Sequence, residues 1–251
     1  MARAAAVTLL ILVATGPAAA EPPAPSNVRE QIAQGDRVFR HRTGEQDFWT
    51  SIYWYEQALK ADPQSAAALW RLARAYTGLG GATAQARRRD FGTKGLGYAE
   101  QAIKLAPNRV EGWYYAATSL GLYASGIGAL RALREGIQQR FLKFIKGAMA
   151  RDPNYDYAAP LMVYGRYFYE LPWPMRDLDQ SLRYLQDAHR RAPTRIRNVC
   201  YLAETLLAQG ERAAALRELE TCAAMDPAKE DPYDGRLAVR ECRKLLAKER
   251  K

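Results

Sequence analysis

Apolar residues recur at helical spacing along most of the chain, and the pattern is cleanest over residues 196–229. Val199, Leu202, Ala203 and Leu206 fall at i, i+3, i+4 and i+7, and Ala215, Leu219 and Cys222 mark one face of a second segment. Gln209-Gly210 supplies the turn between them, and Asp226-Pro227 ends the second helix because proline disfavours helix in the residue before it. The small residues Ala203 and Ala215 sit where two helices cross closely. Such a hairpin has one apolar face and needs a neighbour to cover it.

The same closing pattern occurs four times earlier: Ser51, Tyr55, Ala58, Pro63; Gly95, Ala99, Ala102, Pro107; Phe141, Ile145, Ala148, Pro153; Ser181, Leu185, Ala188, Pro193. Opening halves precede three of them, for example Leu69, Leu72, Ala73 and Tyr76, or Trp113, Ala116, Ala117 and Leu120. This order of small and large residues resembles the tetratricopeptide repeat. The resemblance implies an all-α, right-handed solenoid of helical hairpins with a concave side. Five hairpins and a capping helix beginning at Pro232 are expected to form one domain over residues 28–249.

The expected helices are joined by unusually long inter-helix insertions. Residues 78–95 are rich in glycine and arginine and read as a lengthened turn; Gly92, Gly95 and Gly97 have neither a preceding strand nor a following Gly-Lys-Ser/Thr, so a phosphate loop is not expected. Residues 121–136 are half apolar and should fold back as short helix. Pro172 and Pro174 around Trp173 force a non-helical bridge.

The chain opens with Met1-Ala2-Arg3, an apolar run to Val13 and Ala18-Ala19-Ala20 before Glu21, which fits an exported protein's signal over residues 1–20. A short extended lead over residues 21–27 follows, and no cysteine offers a lipidation site there. The expected location is periplasmic or secreted. Net charge is +10, carried by 37 Lys and Arg against 27 Asp and Glu, which favours anionic partners; with an export signal, nucleic acid is not among them.

Residues 93–131, 148–193 and 226–249 are similar to the bacterial T components associated with TRAP transporters and to the regulator of microtubule dynamics proteins. The resemblance implies a periplasmic helical scaffold that binds a ligand or protein, assembled in some members as a homo-oligomer, a trimer with a central pore. T components are typically lipoproteins, and this chain departs from them there.

No enzyme constellation is visible. The two imidazoles, His41 and His189, lie far apart beside arginines, and no cofactor or metal motif accompanies them. In the repeat the chain resembles, the first helix of each hairpin lines the concave face, with inward positions on either side of the small crossing residue. These positions hold Trp70, Arg71, Arg74, Tyr114, Tyr115, Arg166, Tyr169, Arg197 and Tyr201. Aromatic residues and arginine anchor interfaces, and guanidinium groups match carboxylates. The expectation is a groove for a protein segment or anionic ligand. The alternatives are a T-component-like subunit of a solute uptake system, an envelope protein held by its charge, or tyrosines that simply pack in the core.

The three cysteines are Cys200, Cys222 and Cys242. Cys222 takes the slot held by Ala58, Ala102, Ala148 and Ala188 in the other units, a slot facing the next helix, and that helix carries Cys242. A Cys222–Cys242 disulfide with Cys200 free is expected; the alternative is three buried thiols packing as small hydrophobes.

Overall fold

The computed structural model describes residues 26–250. The expected signal over residues 1–20 lies outside them, as does the lead up to residue 25; residues 26 and 27 already belong to the first helix. The described residues form twelve α-helices, one 3-10 turn and no strand. Helix α1 (Ser26–Arg40) pairs with α2 (Glu45–Ala61), and α3 (Ala66–Ala82) with α4 (Gln85–Leu105). Next come α5 (Val110–Ile127), the short α6 (Ala129–Arg134) and α7 (Ile137–Arg151). Helix α8 (Tyr155–Glu170) pairs with α9 (Leu178–Arg191), α10 (Ile196–Ala208) with α11 (Arg212–Ala224), and α12 (Pro232–Glu249) covers the last hairpin. No helix among the described residues is long and apolar enough to cross a membrane.

The repeated sequence slots have a repeated physical job. Ala58, Ala102, Ala148 and Ala188 are buried where the second helix of each hairpin meets the next unit. In the first four units the residue just before the closing proline donates its amide back to that same alanine: Asp62, Ala106, Asp152 and Ala192 bond the carbonyls of Ala58, Ala102, Ala148 and Ala188 at 2.9–3.0 Å. The proline that follows cannot continue the ladder, so the helix stops there. Side-chain caps start several helices: Ser65 accepts from the Ala68 amide, Asp177 from Gln180, and Asp231 from Tyr233 and Asp234.

Two stretches differ from the sequence reading. Residues 78–95 are helical except for a break around Thr83-Ala84 and do not form a long turn. Their glycines allow close approach of helices: a Cβ on Gly92 would lie 2.6 Å from the Tyr123 amide nitrogen, and one on Gly95 would lie 2.5 Å from Ser119 Oγ. The chain also enters α8 through a left-handed turn, with φ of 45°, 61° and 60° at Asp156, Tyr157 and Ala158. Pro160 explains why an ordinary first turn is unavailable, since it lacks a donor and restricts Ala159. Asn198 Nδ2 donates to the Tyr157 carbonyl at 3.2 Å and fastens the turn from α10. The short helix α6 and the proline bridge before α9 are present as expected.

The two ends of the array meet. Arg42, in the link between α1 and α2, bonds Asp231 at 2.6 Å and the Phe39 carbonyl at 2.6 Å. Its guanidinium lies 4.1 Å from the Phe39 ring centroid and 5.0 Å from that of Tyr233, whose ring makes an edge contact with Phe48 at 5.5 Å. The start of the capping helix thus packs on the first hairpin. The farther part of α12 is tied to α11 by a Cys222–Cys242 disulfide, while Cys200 is a buried free thiol.

Gly92→Ala is expected to destabilise the protein by about 1–3 kcal/mol, because the added methyl meets backbone rather than a movable side chain. Gly97 has nothing within 4 Å of the added Cβ, so Gly97→Ala should be neutral or stabilising by up to about 1 kcal/mol. Urea unfolding of the two variants checks both signs. For the disulfide, a sequence separation of 20 predicts a loss of about 3 kcal/mol in Cys242→Ala, read by the same denaturant series. A linked Cys222–Cys242 peptide in the unreduced digest is the accompanying observation; alkylation of all three thiols without reductant would refute the bridge.

Candidate functional site

The residues named from sequence as inward fall into two groups. In the first, Asp36 of α1 is the centre. Arg71 Nε reaches both its carboxylate oxygens at 2.9 Å, Arg74 Nη2 reaches one at 2.7 Å, and the Tyr55 hydroxyl donates to it at 2.8 Å. Burial alone would raise the Asp36 pKa, but the two guanidinium groups and these hydrogen bonds outweigh it and hold the carboxyl below its ordinary range. Arg74 is flanked by aromatic rings, 4.0 Å from the Phe39 centroid and 5.1 Å from Trp70. Trp70 stacks on Tyr115, with centroids 5.9 Å apart and planes 3° from parallel. Tyr114 and Tyr115 are buried and pack edge-on against Tyr155. Burial pushes both phenols well above their ordinary pKa.

The second group uses α8, α10 and α12. Arg166 bonds Glu204 at 2.5 Å and Glu170 at 2.6 Å, with Tyr169 and Tyr201 on either side at 4.3 and 4.4 Å. Arg197 bonds Asp234 at 2.7 Å and Glu241 at 2.6 Å. Arg195, just before α10, approaches Asp234 at 3.4 Å and Glu230 at 3.8 Å. Tyr114 joins the two groups, since it lies within the electrostatic reach of Asp156, Arg195 and Asp234.

All nine expected residues therefore sit among one another or their neighbours, but the four arginines are not free cations. Each already faces a carboxylate of this chain. The opening beside Trp70 and Arg71 is a cleft of about 90 Å³, room for a few waters and not for a peptide. A larger depression of about 980 Å³ lies elsewhere, along Met175, Arg176, Leu182 and Gln209 beside the proline bridge, and it is broadly open. The acids Asp36, Glu204, Asp234 and Glu241, and the cations Arg42 and Arg195, are not singled out by the sequence pattern. Asp36 has a signal: it directly follows Gly35, whose position would force a Cβ to 2.4 Å from the Tyr55 ring, so Gly35 is the small crossing residue of the first hairpin.

The sulfurs of Cys200, Cys222 and Cys242 lie within 4.8 Å of one another, as do donor atoms of Cys200, Glu204 and Glu241. Two of the three sulfurs are spent on the disulfide. Burial pushes the remaining Cys200 thiol up to about 12, so it is protonated and a poor ligand at neutral pH.

Glu230 carries the largest electrostatic conflict. Its side chain is 1% exposed, and its carboxylate accepts from the Ile196 amide at 3.2 Å. Burial pushes its pKa from 4.5 up to about 7, only partly offset by Arg195 and the Ile196 amide. A pKa raised on folding gives stability that is full below 4.5 and is lost as pH rises through about 7. That change is expected to be on the order of 3 kcal/mol. Glu230→Gln should remove this slope, so that wild type minus variant stability falls between pH 4.5 and 8, at about the size just given; parallel curves in urea unfolding would refute it.

No curated protein sequence matches the chain significantly. Among solved structures it is similar to TTC0263, a thermophilic tetratricopeptide protein of Thermus thermophilus, at 19% identity and a TM-score of 0.67, covering 87% of this chain and 99% of that one. YrrB, described as a tetratricopeptide protein with an unusual peptide-binding site, gives 14% identity and a TM-score of 0.43 over 78% of this chain and 85% of that one. The likeness to the Thermus protein shows the fold, a tetratricopeptide-type helical solenoid. The family model for regulator of microtubule dynamics protein 1-3 matches residues 31–250, nearly the whole described chain, and the chain belongs to that family.

Proposed function

We propose that the protein is a periplasmic or secreted scaffold that holds a segment of another protein on its concave side. The observation that carries this is the row of arginines from separate repeats, Arg74, Arg166 and Arg197, each set against aromatic rings and each aimed at carboxylates. Rings beside the guanidinium keep water off it and fix its plane, which favours a matching carboxylate over a diffuse anion. Arg166 is the most adaptable of the three, because one of its acids, Glu170, is largely exposed and free to leave. Arg74 is held by Asp36 with the Phe39 and Trp70 rings beside it.

No reacting constellation accompanies these residues, so the reading is binding and not catalysis. The long-insert pattern over residues 93–131 supports a second reading, a T-component-like subunit of a TRAP-type uptake system. Genes for a TRAP permease and binding protein beside this one would favour it. The net charge of +10 supports retention at an anionic envelope surface in either case.

A photoreactive side chain at Tyr169, beside Arg166, is expected to crosslink a protein partner in the native envelope fraction. The same group at Tyr53, 54% exposed on the outer helix α2, should not give that product. Arg166→Glu should lower the yield about tenfold or more, as expected for loss of a charge-assisted contact. Equal products from both positions, or none from Tyr169, would refute the concave binding surface.

A further inference from the structure

The concave side is already occupied at one point by the chain itself. Residues 230–234, Glu-Asp-Pro-Tyr-Asp, lie between the 3-10 turn Pro227–Lys229 and the body of α12. Each acid meets an arginine of the array: Glu230 meets Arg195 at 3.8 Å, Asp231 meets Arg42 at 2.6 Å, and Asp234 meets Arg197 at 2.7 Å. Tyr233 completes the set by lying on Phe48 and on the Arg42 guanidinium. The Arg42 and Arg197 side chains are 7% and 11% exposed, whereas Asp231 and Asp234 are each 27% exposed, so these two acids cover their cations from the solvent side; Glu230, 1% exposed, is buried with Arg195.

The fit leaves polar groups unmet. Arg42 Nε, Arg195 Nε and Glu230 Oε1 are buried without a hydrogen-bond partner. The receptor thus offers more donors than its internal segment uses. A buried donor left unpaired costs free energy that a better-matched ligand recovers.

We propose that Arg42, Arg195, Arg197 and the Phe39–Phe48 pair form a binding site for an acidic, tyrosine-bearing segment of a partner protein, one able to form a helical first turn, and that residues 230–234 occupy this site as an internal ligand until the partner displaces them. The inference rests on the reading of the concave side as a protein-binding surface and names the partner chemistry and its control. The tyrosine cradle distinguishes a peptide from a simple anion, which would have no use for the two rings. The Cys222–Cys242 disulfide confines the movement: it keeps the later turns of α12 on α11 while residues before them swing out. Because the receptor is free only when the internal segment is out, its apparent affinity falls by the fraction of chains in that state.

The probe is a fluorescent synthetic peptide copying residues 226–236, with a control in which every Asp and Glu is replaced by Asn and Gln. Asp231→Asn with Asp234→Asn weakens the internal ligand while an asparagine still caps α12. Fluorescence anisotropy is expected to show the acidic peptide binding this double variant at least about tenfold tighter than wild type, with binding lost as salt rises. The control peptide should not bind. A double variant with native circular dichroism that binds the acidic peptide no tighter than wild type, or binds both peptides equally, overturns the proposal. Should that variant fail to fold, Tyr233→Ala removes the internal segment's contact with Phe48 and Arg42 and leaves every receptor residue in place; the same expectation and the same refutation apply to it. Crosslinking at Tyr169 lies outside residues 230–234 and tests the concave surface separately. Peptide failure with that crosslink retained removes the internal-ligand inference alone, whereas loss of both removes the binding surface too.

Discussion

A guanidinium held against aromatic rings and paired with a carboxylate from a distant helix is the interaction on which the shape of this molecule depends. Helical hairpins stack through local apolar faces, and stacking alone leaves the curvature of the array loosely set. Arg74, Arg166, Arg197 and Arg42 help to set it, because each ties one unit to another: α1 to α3, α8 to α10, α10 to α12, and the first hairpin to the last. Desolvating two charges cancels most of their attraction, so these pairs add little net stability. Leaving one partner unmatched in the interior is costly, and that penalty selects one curvature over others.

The repeated hairpins are legible in the sequence because their causes are local. A small residue at a crossing, a helical stripe and a proline at the end are all written within one unit. The glycine- and arginine-rich stretch over residues 78–95 misleads for the opposite reason. Glycine content there signals a turn by local propensity, yet Gly92 and Gly95 are needed where α4 touches Ser119 and Tyr123 of α5. The left-handed entry to α8 is equally invisible, since it depends on Asn198 of another helix holding the Tyr157 carbonyl.

The candidate site shows the same division. A rule for the inward positions of a repeat names Trp70, Arg74, Tyr115, Arg166 and Tyr201, and in the structure Trp70 meets Arg74 and Tyr115 while Arg166 meets Tyr201. It does not find their partners: Glu204 is passed over although it lies on α10, in the unit with the clearest repeat spelling, and other partners lie outside the clearly spelled units. Asp36 comes from the first hairpin, and Asp234 and Glu241 come from the capping helix, the two elements whose sequences depart most from the pattern. Terminal units of a stack have only one neighbour, so their free faces are available for other contacts.

An interior that is electrically satisfied changes what kind of recognition the molecule can perform. An open cationic groove would attract any anion, and its affinity would follow salt and net charge. On the proposed displacement, a ligand would replace carboxylates already in place, so the Coulomb attraction gained from a new acid would be largely cancelled by that lost from the old one. What remains to discriminate among ligands is geometry: the angle at which a carboxylate meets a ring-flanked guanidinium, and the seating of an aromatic side chain against Phe48. The unmet Arg42 Nε and Arg195 Nε make that difference favourable only for a chain whose acceptors fall in the right places. On that proposal selectivity would come from exchange rather than from charge, and the net +10 of the chain would govern approach more than choice.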